Sequence, residues 1–172
     1  MRLNRIRRSI TATAVVTAGR RQRGFTMTEL IVTLSIAGIL AVIATPAFNG
    51  MIAAQRTRTY ASVLYATLAK TRSEALALNN NVTLQAKAGG WATGWQIIDP
   101  NGNVLDDYTA TTGVTVAATG TLPVVYRSSG RLPVGGNAPK FVISIQSGNS
   151  MNYQCVSVDL GGRPYMKPSN QC

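Results

Sequence analysis

The chain has 172 residues, enough for one modest domain and an appendage, with 17 Lys and Arg against six Asp and Glu. Seven of the basic residues (Arg2, Arg5, Arg7, Arg8, Arg20, Arg21, Arg23) stand in the first 24 positions with no acid among them; from Phe25 onward ten basic and six acidic side chains leave only +4, which does not indicate a general polyanion binder. Histidine is absent and the acids outside the apolar segment (Glu74, Asp99, Asp106, Asp107, Asp159) are scattered, so neither a metal site, a cofactor nor an acid–base enzyme is expected.

Residues Leu30 to Thr45 carry no charge. With Phe25 and Met27 they approach the roughly 20 apolar residues that cross a bilayer. The arginines before them, with no comparable cluster immediately after, predict a cytoplasmic start and an exported, periplasmic body. A cleaved secretory signal would need a small-x-small site after the apolar run, and Ala44-Thr45-Pro46-Ala47 imitates one poorly. A plain anchor gives no reason for Glu29 inside the apolar run, where an ionisable group is costly unless partnered. Thr26-Met27-Thr28-Glu29 has the capping-box pattern, which by itself accounts for Glu29 at a helix start.

The run Arg23-Gly24-Phe25-Thr26-Met27-Thr28-Glu29-Leu30 resembles the processing site of type IV prepilins in several positions at once. Gly24 precedes the cut, Phe25 becomes the first residue, Glu29 the fifth and Pro46 the twenty-second. The resemblance implies that prepilin peptidase removes a basic leader, residues 1–24, and methylates the Phe25 amine. The apolar helix, residues 25–50, then stays as membrane and fibre helix, with a periplasmic globular domain over 51–172. It further implies that Glu29 compensates the amino terminus of a neighbouring subunit; desolvation offsets part of that attraction, so the pair chiefly sets register.

Beyond Pro46 and Gly50 helical periodicity resumes and predicts one helix over about 25–78. Ala53, Thr57, Ala61, Leu64, Leu68, Thr71, Ala75 and Leu78 share a stripe, with Thr59, Ser62, Lys70 and Ser73 opposite. Asn79-Asn80-Asn81 supplies the stop. Strand-like runs follow at Val82-Leu84-Ala86, Val124-Val125-Tyr126 and Phe141-Ile143-Ile145. Turns are predicted at Asp99-Pro100-Asn101-Gly102-Asn103 and Leu160-Gly161-Gly162-Arg163-Pro164, and loops over 110–121 and 128–138. The fold class is α+β: the second half of the helix packs on an antiparallel β-rich domain, with Trp91 and Trp95 as apolar anchors.

Ala69-Lys70-Thr71-Arg72-Ser73-Glu74-Ala75, and Trp91, Gly94 and Trp95 followed by Asp99-Pro100-Asn101-Gly102, resemble the helix end and next hairpin of the GspH/FimT group of pilin-like proteins. The implied role is a minor pilin or pseudopilin, a structural subunit of a type IV pilus or a type II secretion pseudopilus. Its implied partners are the major pilin or pseudopilin, other minor pilins and the inner-membrane assembly platform. Cys155 and Cys172 are the only thiols, and in an exported body, with a turn at Gly161-Gly162 folding the tail back, they are expected to pair. The alternative function is capture of double-stranded DNA, which some FimT-type proteins perform with a C-terminal Gly-Arg-x-Arg element. Here Arg163 matches, Tyr165 replaces the second arginine and Lys167 lies two positions beyond; Arg127 and Arg131 would add phosphate contacts and Tyr165 stacking.

Overall fold

A computed structural model describes residues 24–110 and 113–172. The leader expected over 1–24 lies outside them, apart from Gly24. The chain divides into two units, residues Met1–Ile39 and Leu40–Cys172, and the helix α1, Met27–Ala77, contributes to both.

In the first unit α1 opens on Thr26. The large side chains that follow, Leu30, Ile31, Val32, Leu34, Ile36 and Ile39, are all more than half exposed. A helix apolar on every side with none of it covered needs another apolar medium, a bilayer or neighbouring helices. By length and composition α1 can cross a membrane.

In the second unit the α1 backbone stays helical through Pro46, whose side chain lies outside the description. The buried stripe is Ala53, Thr57, Tyr60, Ala61, Leu64, Thr67, Leu68, Thr71 and Ala75. It contains the expected residues from Ala53 to Ala75 and adds Tyr60 and Thr67, while Leu78 lies beyond the helix and is exposed. The helix stops because Asn79 turns left-handed (φ 48°), after which Asn80 N–H donates to the Ala75 carbonyl at 3.2 Å. Asparagine adopts that conformation more readily than most residues, so the stop is a side-chain choice. Burying three threonines is tolerated because each hydroxyl donates to the carbonyl four residues back: Thr57 to Ala53 at 2.8 Å, Thr67 to Val63 at 2.9 Å and Thr71 to Thr67 at 2.7 Å.

Among the described residues eight strands follow: β1 (Val82–Ala86), β2 (Gly94–Ile98), β3 (Val104–Thr109), β4 (Thr115–Thr119), β5 (Val124–Tyr126), β6 (Lys140–Ser147), β7 (Ser150–Val158) and β8 (Pro164–Lys167). They form two antiparallel sheets, ordered β3-β2-β1-β5 and β4-β6-β7-β8. Register puts Leu84 opposite both Ile97 and Val124, Val82 opposite Tyr126, and Phe141 opposite Val156. These residues join the α1 stripe in one core with Trp91 and Trp95. Complete burial of a Leu- or Ile-sized side chain contributes about 1.5–3 kcal/mol, so this shared core is the main stabilising element of the unit.

Two expectations need correction. The segment 110–121 is not all loop, since Thr115–Thr119 pairs with β6 from Thr115↔Ser144 to Thr119↔Lys140. Its alternating Thr, Val and Ala side chains half-bury Val116 and Ala118, but alanine has low strand propensity and hides the pattern. The tail expected to fold back at Gly161-Gly162 does so as a strand rather than a loop: it is β8, hydrogen-bonded to β7 from Cys155↔Lys167 to Val158↔Pro164.

Candidate functional site

At the helix start the capping box is formed on both sides. Thr26 N–H and Oγ1–H donate to Glu29 Oε2 at 2.9 and 2.8 Å, and Glu29 N–H donates back to Thr26 Oγ1 at 3.2 Å. A helix N-terminus leaves its first amides unpaired and carries partial positive charge, so an acid three residues in is the residue type that satisfies it. Among the described residues Glu29 Oε1 accepts nothing, which leaves one carboxylate oxygen open outward. Gly24 and Phe25 precede the helix and are exposed, Phe25 at 87%. The expected cut therefore falls in accessible backbone just ahead of the helix.

The body of the second unit is tied together where α1 meets the first sheet. Tyr60 O–H donates to the Trp91 carbonyl at 2.5 Å and Trp95 Nε1–H to Thr67 Oγ1 at 3.1 Å. Tyr108 stacks on Trp95 with centroids 4.5 Å apart. Burial pushes the Tyr60 hydroxyl well above the ordinary phenol range, so it stays a neutral donor. Lys70 reaches Asp106 at 2.9 Å; that bond holds the Asp106 carboxyl below its usual range and the Lys70 ammonium above its own. Tyr60 and Thr67 were not among the predicted stripe residues, although both fall at helical spacing.

The residues expected to contact DNA separate into two places. The turn between β7 and β8 is held by Asp159, which accepts Arg163 N–H at 2.8 Å, and needs Gly162 at φ +82°. A Cβ on Gly162 would come 2.1 Å from the Gly130 carbonyl oxygen and 3.2 Å from the Arg131 Cα. That close approach docks the β7–β8 turn on the Arg127–Arg131 turn, itself closed by Arg127 N–H to the Arg131 carbonyl at 2.9 Å. Arg127, Arg131 and Arg163 therefore emerge, exposed, from abutting turns, and none has a carboxylate partner among the described residues. Lys167 stands at the other end of β8, about 13 Å away along an extended strand. Tyr165 and Lys167 share the face of their neighbours Ser157 and Cys155. Cys155 and Cys172 form a disulfide, Cα atoms 5.4 Å apart, that closes the end of the chain over this strand.

The profile of the type II transport protein GspH matches residues 60–162, and that of the prokaryotic N-terminal methylation motif matches residues 19–45. The type IV major fimbrial protein FimA of Dichelobacter nodosus is 36% identical over 100 residues, 58% of this chain and 57% of that protein, so the chain spans little more than half of that curated relative. Among solved structures, the type IV minor pilin FimU of Pseudomonas aeruginosa superposes with a TM-score of 0.54 at 24% identity, covering 68% of this chain and 92% of FimU. The minor pseudopilin EpsH of the Vibrio cholerae type 2 secretion system gives 0.52 at 11% identity, covering 66% and 97%. These two likenesses establish the fold, and the profile match over the helix end and both sheets establishes the family: the chain belongs to the GspH family of type IV pilin-like proteins.

Proposed function

We propose that the chain is a minor pilin or pseudopilin, a structural subunit that is processed, held in the inner membrane and then passed into a type IV pilus or type II secretion pseudopilus. The observation that carries this reading is a helix that is both capped and uncovered: a complete capping box at Thr26–Glu29 opens an apolar segment that nothing in its own unit buries. Prepilin peptidase removes residues 1–24, the Phe25 amine is methylated, residues 25–50 lie in the membrane and the domain 51–172 faces the periplasm. The open oxygen of Glu29 takes the amino terminus of the neighbouring subunit while its other oxygen caps its own helix, and Pro46 loosens the helix where subunits pack. The subunit works by assembly with major and minor pilins on the inner-membrane platform, without an active site.

Intact-mass and N-terminal sequencing of membrane-extracted protein tests the processing. An amino terminus near residue 47, or retention of Met1, would sink the reading. Deleting the gene and scoring surface pili, twitching, exoprotein release and DNA uptake together separates pilus from pseudopilus.

A second reading, capture of double-stranded DNA, is favoured by the docking of the two arginine-bearing turns. Three unpaired guanidinium groups on rigid turns form a phosphate-binding cluster with little ordering cost. Its members are Arg127, Arg131 and Arg163, with Tyr165 beside them and Lys167 secondary. In a salt titration of duplex binding, Arg131→Ala and Arg163→Ala each flatten the slope by about one unit while Lys167→Ala changes it less. Undetectable binding at low salt discards this reading.

A further inference from the structure

A groove of about 220 Å³ lies between α1 and the beginning of β7, lined by Ala54, Thr57, Arg58, Asn152, Tyr153, Gln154 and their neighbours Met151 and Pro168. It is smaller than the roughly 300–1,000 Å³ that enclose a drug-sized ligand, and suits one polar headgroup. Gln154 is 7% exposed and points to the helix-facing side of β7, opposite Ile143; its amide makes no hydrogen bond to any described residue. The amide is not sealed off, as Arg72 Nε and Tyr126 Oη are; it opens into the groove with its donors and acceptor free for a group that binds there. Arg58 at the rim has no carboxylate partner among the described residues. The three segments around the groove, 53–66, 139–158 and 164–172, hold no acidic side chain to oppose an anion beside Arg58. Met151 and Tyr153 are 43% and 38% exposed, an apolar and an amphipathic side chain beside the cation.

We propose that this groove seats the headgroup of an anionic phospholipid: Arg58 takes the phosphate, the Gln154 amide bonds a headgroup or ester oxygen, and Tyr153 and Met151 rest at the acyl boundary. The proposal rests on the reading of residues 25–50 as the membrane helix. Arg58 follows Gly50 by eight residues, about 12 Å of helix, close to the 5–8 Å of headgroup layer on each side of the hydrocarbon plus the reach of a snorkelling arginine. Tyrosine at that depth fits the aromatic belt of a membrane–water interface. A bound lipid at this position would retain the subunit at the outer surface of the membrane until extraction into a fibre strips it off.

The test uses the full chain in nanodiscs of phosphatidylcholine alone or with phosphatidylglycerol added in steps. Native mass spectrometry after release counts the lipid retained per chain. One phosphatidylglycerol is expected to be kept in preference to phosphatidylcholine, and Arg58→Gln lowers its apparent affinity about tenfold. Gln154→Leu lowers it several-fold, and Gln154→Glu does so by placing a like charge against the phosphate should the leucine variant fold poorly. Arg56→Gln, a cation on the same helix outside the groove, leaves it unchanged. No preference for phosphatidylglycerol, an equal loss with Arg56→Gln, or a groove filled by a second copy that cross-links through Tyr153 overturns the proposal. Carbonate extraction separates the two readings: a chain washed from the membrane refutes the membrane helix, whereas one that stays without the lipid preference refutes only the groove.

Discussion

Thr67 on α1 accepts the only hydrogen bond made by the Trp95 indole, and Thr67→Val tests how that contact holds helix to sheet. Trp95 is 1% exposed, so its N–H has no water to turn to when the hydroxyl is removed. Valine matches threonine in shape and leaves no cavity, and the second bond lost, from Thr67 to the Val63 carbonyl, is a back-bond of little net value. The expected loss is therefore the penalty for one orphaned buried donor, about 1–3 kcal/mol. For a chain of this size that lowers Tm by about 3–10 °C. Urea and thermal unfolding of the full chain in detergent, followed by tryptophan fluorescence, reads it. Trp95→Phe removes the orphan along with the donor, so the double variant Thr67→Val/Trp95→Phe should be more stable than the sum of the two single losses by about 1 kcal/mol or more. A Thr67→Val variant within about 0.5 kcal/mol of wild type, or additive single losses, would refute the argument that this bond matters to the helix–sheet contact.

Other outcomes follow from the same geometry. Gly162→Ala forces a Cβ toward the Gly130 carbonyl at a left-handed φ and should separate the two turns, lowering Tm and weakening any binding that needs Arg131 and Arg163 together; a Tm equal to wild type contradicts the docking. The Cys155–Cys172 bond spans 17 positions, and Cys155→Ser/Cys172→Ser or full reduction should cost about 3 kcal/mol, whereas two free thiols in non-reduced protein would remove the premise. Asp99 is held below its ordinary value of 3.8, first by the Asn103 side chain and then by backbone N–H groups, so its contribution is present above pH 3.8 and is lost as pH falls through the lower folded-state value. Wild type and Asp99→Ala should thus differ at pH 5–7 and converge in acid; a gap that persists in acid denies the role of the charge. Glu29→Ala should leave processing intact and reduce entry into fibres, measured by subunit content of sheared fibres, while normal entry would leave the capping role alone.

Much of the architecture was legible in the sequence because it is written in local periods. The capping box, the α1 stripe from Ala53 to Ala75, the Asn79 stop and the Asp99–Asn103 hairpin each depend on residues within a few positions of one another. So does the match to the N-terminal methylation motif, in which Gly24, Phe25 and Glu29 keep a fixed spacing. What the sequence could not show was which strand would pair with which. β4 reads Thr-Val-Ala-Ala-Thr, where the two alanines weaken the strand signal, and it is completed by the edge that β6 offers; β8 likewise depends on β7. Pairing of that kind depends on chain far away in sequence, and it changed the reading of the candidate site. Arg163 and Lys167, neighbours in a tail, were set at opposite ends of a strand, Arg131 was brought to Arg163 by two abutting glycines, and Arg58 was brought to Gln154 across the helix–sheet seam. Local residue choice thus determined the elements of this protein, and only tertiary packing, through backbone hydrogen bonds and close glycine contacts, decided which charges stand together.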